Sequence, residues 1–182
     1  MPDRRRPAST YRLQLHPGFG FADAAGLADY LAGLGVTHVY LSPVLQAAPG
    51  SQHGYDVVDH SRLSADLGGH TAFTDMAERF HSHGLGVVVD IVPNHMAIPT
   101  PEYLAAQVWS VLAQGRDSPY AHWFDIDWEA QGGRLLMPIL AGPAAECLSD
   151  LTVDHAPRDS GLAGGGPVLR YFDHVLPLRA GT

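Results

Sequence analysis

Apolar residues in the first half of the chain switch repeatedly between two periods. Thr10-Tyr11-Arg12-Leu13-Gln14-Leu15 alternates large apolar and polar positions, as a strand does. From Phe21 to Leu34 the spacing becomes helical. Ala24, Leu27, Ala28, Leu31 and Leu34 share one face, and Gly35 supplies the stop. Val36-Thr37-His38-Val39-Tyr40-Leu41 predicts a second strand, closed by Ser42-Pro43. Residues 44 to 70 read as one long loop, a length that is usually functional or disordered. A second helix is predicted over Thr71–His83, with Phe73, Met76, Ala77 and Phe80 on one face and Gly84 as its stop. The run Val87–Val92 is nearly all apolar, which suits a strand covered on both faces. This β-α-β-α-β order predicts an α/β fold with a parallel sheet and right-handed crossovers.

Beyond His95 the pattern changes. Pro99-Thr100-Pro101 opens a new segment, and a helix is predicted over Glu102–Leu112, with Tyr103, Ala106 and Trp109 on one side. Residues 120 to 128 mix Tyr120, Trp123, Phe124 and Trp128 with Asp125 and Asp127. Such a mixture suits a sugar-binding loop, and a local aromatic minicore explains it equally well. Ala156–Pro167 reads as a glycine-rich flexible loop and Val168–His174 as a last strand-like piece. The expected division is therefore 1–98 and 99–182, with no internal repeat.

Composition narrows the class. The 182 residues are 46% hydrophobic, ordinary for a globular protein, and carry a formal charge of −8. That charge argues against a nucleic-acid partner, which needs a basic face. No apolar run is long enough to span a bilayer, and no apolar stretch follows the Asp3-Arg4-Arg5-Arg6 tail, so neither a membrane partner nor a signal peptide is expected. The single cysteine, Cys147, fits a buried structural thiol, and a cytoplasmic location is expected. His81 and His83 stand two apart on the second helix and make a poor metal pair; capping and the helix dipole account for them better. Gly18-Phe19-Gly20-Phe21 and Gly164-Gly165-Gly166 lack the spacing and the lysine of a phosphate loop.

The chemistry gathers in two places. Asp90, Asn94 and His95 stand at the C-terminal end of the third strand, where α/β barrels build their sites. His53-Gly54-Tyr55-Asp56 lies in the long loop after the second strand, with Asp59 shortly beyond. An aromatic ring beside hydrogen-bonding side chains suits a pyranose, which offers an apolar C–H face and a rim of hydroxyls.

Asp90-Ile91-Val92-Pro93-Asn94-His95 resembles the third-strand signature of the alpha-amylase family of barrel glycosidases, and His53-Gly54-Tyr55-Asp56 resembles that family's loop after the second strand. Four pieces are similar, more narrowly, to the maltooligosyltrehalose synthase branch: Ser9–Gln14, Tyr40–Val44, Pro49–Asp59 and Leu169–His174. The resemblance implies a (β/α)8 TIM barrel, a maltooligosaccharide substrate and no cofactor. It implies an isomerase that converts the reducing-end α-1,4 bond into an α,α-1,1 bond through a retaining, two-carboxylate mechanism. A full barrel takes ~250 residues, and only about three strand–helix units are counted here, so a partial barrel with a loop-rich insertion is expected. The nucleophile and acid/base are expected beyond Thr182, and no catalytic residue is assigned within the chain.

The substrate-binding set implied is His53, Tyr55, Asp56, Asp90, Asn94 and His95. Tyr55 would stack on a sugar with His53 bonding nearby; the plainer explanation is an aromatic packed on the barrel rim. His95 would donate to a hydroxyl with its second nitrogen held by a neighbour, against the alternative of a satisfied core histidine. Asp90 is expected to orient the site from within the strand. Asn94 matches a calcium ligand of many amylases, but no accompanying ligand set is identified and metal binding stays unassigned. Two other functions remain open: an amylase-type hydrolase or glucanotransferase, and a non-catalytic glucan-binding remnant.

Overall fold

The computed structural model describes residues 6–159 and 166–178, so residues 3–5, Gly164, Gly165 and part of the 156–167 loop lie outside the described residues. The chain forms two compact units, divided between Ala97 and Ile98.

The first unit is built on three parallel strands, β1 (Thr10–Leu13), β2 (His38–Leu41) and β5 (Gly86–Val89), in the order β1-β2-β5. The register runs from Thr10↔His38↔Gly86 to Leu13↔Leu41↔Val89. Leu13, Val39 and Leu41 are buried, and Phe21, Ala24, Leu31, Met76 and Phe80 from the helices join them in one core. The three predicted parallel strands are therefore present, with helix in each of the two crossovers.

Three local expectations are corrected. The helix expected over Phe21–Leu34 is two helices, α1 (Phe21–Ala25) and α2 (Ala28–Gly33). The Gly26 N–H splits between the carbonyls of Ala22 and Asp23, and Leu27 sits at φ −88°, ψ 0°. Glycine is a weak helix former, so the break falls there while the apolar stripe runs on across it. The second helix, α3, spans Gly69–Ser82 and ends as expected: Gly84 takes φ +75° and Leu85 N–H closes on the Phe80 carbonyl at 2.9 Å. His83 bonds the Arg79 carbonyl through Nδ1 and Asp29 through Nε2, which links α3 to α2.

The loop expected over 44–70 holds an antiparallel ribbon, β3 (Leu45–Ala47) with β4 (Val57–Leu63). Nine residues separate these strands and the pairing carries two register shifts, so neither a tight-turn signal nor a clean alternation marks it. The third correction concerns Asp90. Strand β5 stops at Val89, so Asp90 is the first residue past it, although its N–H still bonds the Leu41 carbonyl at 2.9 Å.

Gly86 pairs with His38 at the N-terminal edge of the sheet, and a Cβ placed on it would meet the imidazole at 2.3 Å. Gly86→Ala should therefore force the His38 ring out of its place beside Thr37 Oγ1 and lower stability by about 1–3 kcal/mol. Urea titration reads this out, and an unchanged midpoint would mean that the ring swings away freely.

The second unit contains α4 (Ala106–Gln114), α5 (Ala144–Cys147) and an antiparallel sheet of β6 (Leu151–Asp154), β7 (Val168–Tyr171) and β8 (His174–Pro177). The helix expected to begin at Glu102 begins at Ala106. A separate 3-10 turn precedes it, because the buried Glu102 carboxylate is engaged by β8: His174 Nδ1 lies 2.6 Å from Oε1, and Val175 N–H donates to Oε2 at 2.8 Å. Trp109, Val168 and Val175 pack as a small core with Tyr103. Cys147 is buried near the Tyr171 hydroxyl. Among the described residues, no helix is long and apolar enough to cross a membrane.

Candidate functional site

The C-terminal ends of the three parallel strands carry the polar groups of the first unit. Ser42, just past β2, donates its N–H to the Leu13 carbonyl and accepts from Leu15 N–H at 2.8 Å through a buried hydroxyl, which ties the ends of β1 and β2 together. Beside them Asp90 is half-buried, with two phenols on one of its oxygens. Tyr55 donates to Oδ2 at 2.6 Å and Tyr40 donates to the same atom at 3.0 Å. That bond to a carboxylate, reinforced by burial, pushes the Tyr40 phenol above the usual tyrosine range.

Arg12 completes the group. Its guanidinium donates to Gln14 Oε1 at 2.9 Å and, more weakly, to Tyr55 Oη at 3.5 Å, and it lies 5.8 Å from the centre of the Tyr40 ring. The register places Arg12 directly opposite Tyr40, so both belong to one row of side chains across the sheet.

The loop between β3 and β4 delivers Tyr55. Gly54 adopts φ +79°, and a Cβ there would stand 2.8 Å from the Pro43 carbonyl oxygen, so the position needs glycine on two counts. Ser51 Oγ donates to Asp56 and accepts from Gly54 N–H at 3.1 Å. Tyr55 N–H donates to His53 Nδ1 at 3.1 Å, and the His53 and Tyr55 rings stack with centroids 6.0 Å apart. The Gln14 amide donates toward the carbonyls of Gln52 and His53, each at 3.4 Å, tying this loop to β1. Asp56 thus braces the loop from within. Asp59, further along, works as a brace too: burial raises its pKa, but hydrogen bonds from Ser61 and Arg62 outweigh that and hold it below the usual carboxylate range.

Of the six residues singled out by sequence, Tyr55 and Asp90 are in direct contact, with His53 and Asp56 in the loop that supports Tyr55. Asn94 and His95 stand apart. The segment carrying them runs along β4, held by Ala97 N–H to the Val57 carbonyl at 2.7 Å and by a bond between His60 Nε2 and the Val92 carbonyl. Both side chains are exposed, and neither makes a hydrogen bond among the described residues. The neighbour expected to hold the second nitrogen of His95 is therefore not found among them. No group of three or more His, Cys, Asp or Glu side chains suited to a metal occurs among the described residues.

Sequence reasoning missed Tyr40, Arg12 and Gln14 as site members. The signal was present: Arg12 and Gln14 are the polar positions of an alternating strand, and a tyrosine interrupts the next one at the matching height. The assembled group offers an aromatic face, a fixed carboxylate and a guanidinium. It is suited to gripping a hydroxyl-rich ring.

The second unit has its own cavity of about 640 Å³, walled mainly by apolar residues such as Val108, Val111, Phe124 and Leu136, with Glu102 and His174 among its polar lining. The aromatic residues of 120–128 do not form one minicore. Tyr120 meets Trp123 edge-on at 5.2 Å, Trp128 lies under Arg116, and Phe124 faces the cavity.

Residues 20–140 match the family "Alpha amylase, catalytic domain". A curated Mycobacterium tuberculosis protein, provisionally described as a maltooligosyl trehalose synthase, is 43% identical over 179 residues, 96% of this chain and 22% of that protein. The solved structure of maltooligosyltrehalose synthase from Arthrobacter ramosus superposes with a TM-score of 0.85 at 46% identity, over 96% of this chain and 21% of that one. A cyclomaltodextrinase from Geobacillus thermopakistaniensis is 35% identical over 98 residues, 54% of this chain and 16% of that protein. The chain spans about a fifth of the length of the curated relatives it matches most extensively.

Proposed function

Because the chain belongs to the alpha-amylase family, we propose that it is the N-terminal part of a (1→4)-alpha-D-glucan 1-alpha-D-glucosylmutase, a maltooligosyltrehalose synthase. Its three parallel strands are read as the first three of a (β/α)8 barrel, and the second unit as an insertion after the third. The substrate is a maltooligosaccharide whose reducing-end α-1,4 bond becomes an α,α-1,1 bond. The carboxylates that react belong to later strand ends, and this chain supplies the grip on the sugar.

The observation that carries this reading is the contact of Tyr55 with Asp90 at the C-terminal end of the sheet. Tyr55 presents its ring to the apolar face of a glucose unit, and Asp90 keeps the ring at a fixed tilt. His53 and Asp56 hold the loop. Asn94 and His95, exposed and without internal partners among the described residues, are available to sugar hydroxyls.

Calorimetric titration of this chain with maltopentaose tests the grip, and a reducing-sugar assay tests the chemistry. Saturable binding, weakened at least about tenfold by Tyr55→Ala, is expected, with no change in reducing ends. Absence of binding would sink the sugar-contact reading. A rise in reducing ends would move the assignment to a hydrolase. Loss of reducing ends by the isolated chain would place the reacting groups within it.

A further inference from the structure

We propose that Tyr40 is a positioning residue: from the central strand it holds the Asp90 carboxylate in the one orientation that anchors Tyr55. The aromatic face offered to the glucan is then set by a residue that does not itself touch the sugar. This rests on the reading of Tyr55 as a sugar platform.

Tyr55 stands on a loop, and a loop by itself does not hold a ring to a fraction of an ångström. What fixes it is the 2.6 Å bond from its hydroxyl to Asp90 Oδ2. Asp90 lies one residue past the end of β5, so its carboxylate would turn about its own side-chain bonds without a second restraint. Tyr40 is that restraint. It donates to the same oxygen at 3.0 Å, from β2, which is hydrogen-bonded on both sides by β1 and β5. Two O–H donors converging on one carboxylate oxygen define the plane of the group.

Tyr40 is restrained in turn by the guanidinium of Arg12, 5.8 Å from its ring centre. That guanidinium is itself tied to Gln14 and directed at Tyr55 Oη. Arginine donates and never accepts, so the Tyr55 oxygen can only accept from Arg12, and its proton is committed to Asp90. The chain of dependence runs from β1 through β2 and Asp90 to the loop. The same hydrogen bond to a carboxylate raises the pKa of the Tyr40 phenol.

Tyr40→Phe removes the hydroxyl and keeps the ring. In chain isotope-labelled at tyrosine Cζ, the Tyr55 resonance should move in Tyr40→Phe without any sugar present, while the melting temperature stays close to wild type. Maltopentaose affinity should fall about tenfold, the equivalent of one charge-assisted hydrogen bond. In the Asp90→Ala background, which leaves no acceptor, the same change should have no further effect, because its route is already cut. A Tyr55 resonance that stays in place overturns the proposal, as does an additive loss in the double variant. If wild type binds no maltopentaose, the proposed function fails, and the Tyr55 resonance still decides whether Tyr40 positions it. Should Tyr40→Phe fail to fold, alkaline titration of Asp90→Asn decides instead. The Tyr40 phenol should then ionise at a lower pH than in wild type, and an unchanged titration overturns the proposal.

Discussion

Gly54→Ala should release Tyr55 from Asp90 and abolish measurable maltopentaose binding, while the parallel sheet stays folded. Residue 54 takes φ +79°, a region that costs an L-residue about 1–2 kcal/mol. The added methyl group would also stand 2.8 Å from the Pro43 carbonyl oxygen and 3.3 Å from its Cβ, neither of them the end of a flexible side chain. Crowding of that kind costs about 1–3 kcal/mol. The loop can escape both penalties by turning its backbone, and doing so carries Tyr55 away from a hydrogen bond of 2.6 Å. Calorimetry together with amide exchange in β1, β2 and β5 distinguishes local from global damage. Binding at the wild-type affinity would show that the loop's conformation does not set the site.

Glu102→Ala should strike the second unit hardest. The carboxylate is 1% exposed and accepts from both His174 Nδ1 and Val175 N–H. Its removal leaves a buried backbone donor and an imidazole without their acceptor, and opens space beside the cavity that Glu102 lines. Breaking a buried pair from one side costs about 3–5 kcal/mol, a large share of the stability of any small domain. Glu102→Gln, which keeps an acceptor oxygen, should lose less than half as much. Near-ultraviolet circular dichroism during thermal unfolding follows this through Trp109, which packs in the same small core. A melting curve that coincides with wild type would mean that the pair is dispensable.

The first unit was legible because its signals are local. Apolar alternation in Thr10–Leu15, helical spacing between Phe21 and Leu34, and the apolar run ending at Val89 each report which face of an element is covered. Gly35 and Gly84 mark stops, at φ +82° and +75°. The structure forms two compact units, divided between Ala97 and Ile98. What sequence pattern lost were features whose causes lie elsewhere in the chain. The ribbon β3–β4 pairs across nine intervening residues with shifted register, so no window along the chain contains its reason for forming. Glu102 looked like the first turn of a helix, but its partners lie 72 and 73 residues away.

The candidate site divides in the same way. Tyr55, His53, Asp56 and Asp90 could be singled out because polar and aromatic residues gather at the strand end and in the loop, and because both segments resemble motifs of the alpha-amylase family. By itself the sequence determined the order of the three parallel strands and the helical segments between them, the polar ends of those strands and the loop that carries an aromatic residue past them. Only the tertiary structure decided that Tyr40 and Tyr55 share one oxygen of Asp90, that Arg12 lies against both, and that Asn94 and His95 stay outside that network. The physical reason is range. Periodicity and turn chemistry act over a few residues, whereas hydrogen bonds between side chains 35 and 50 residues apart depend on how parallel strands align in register.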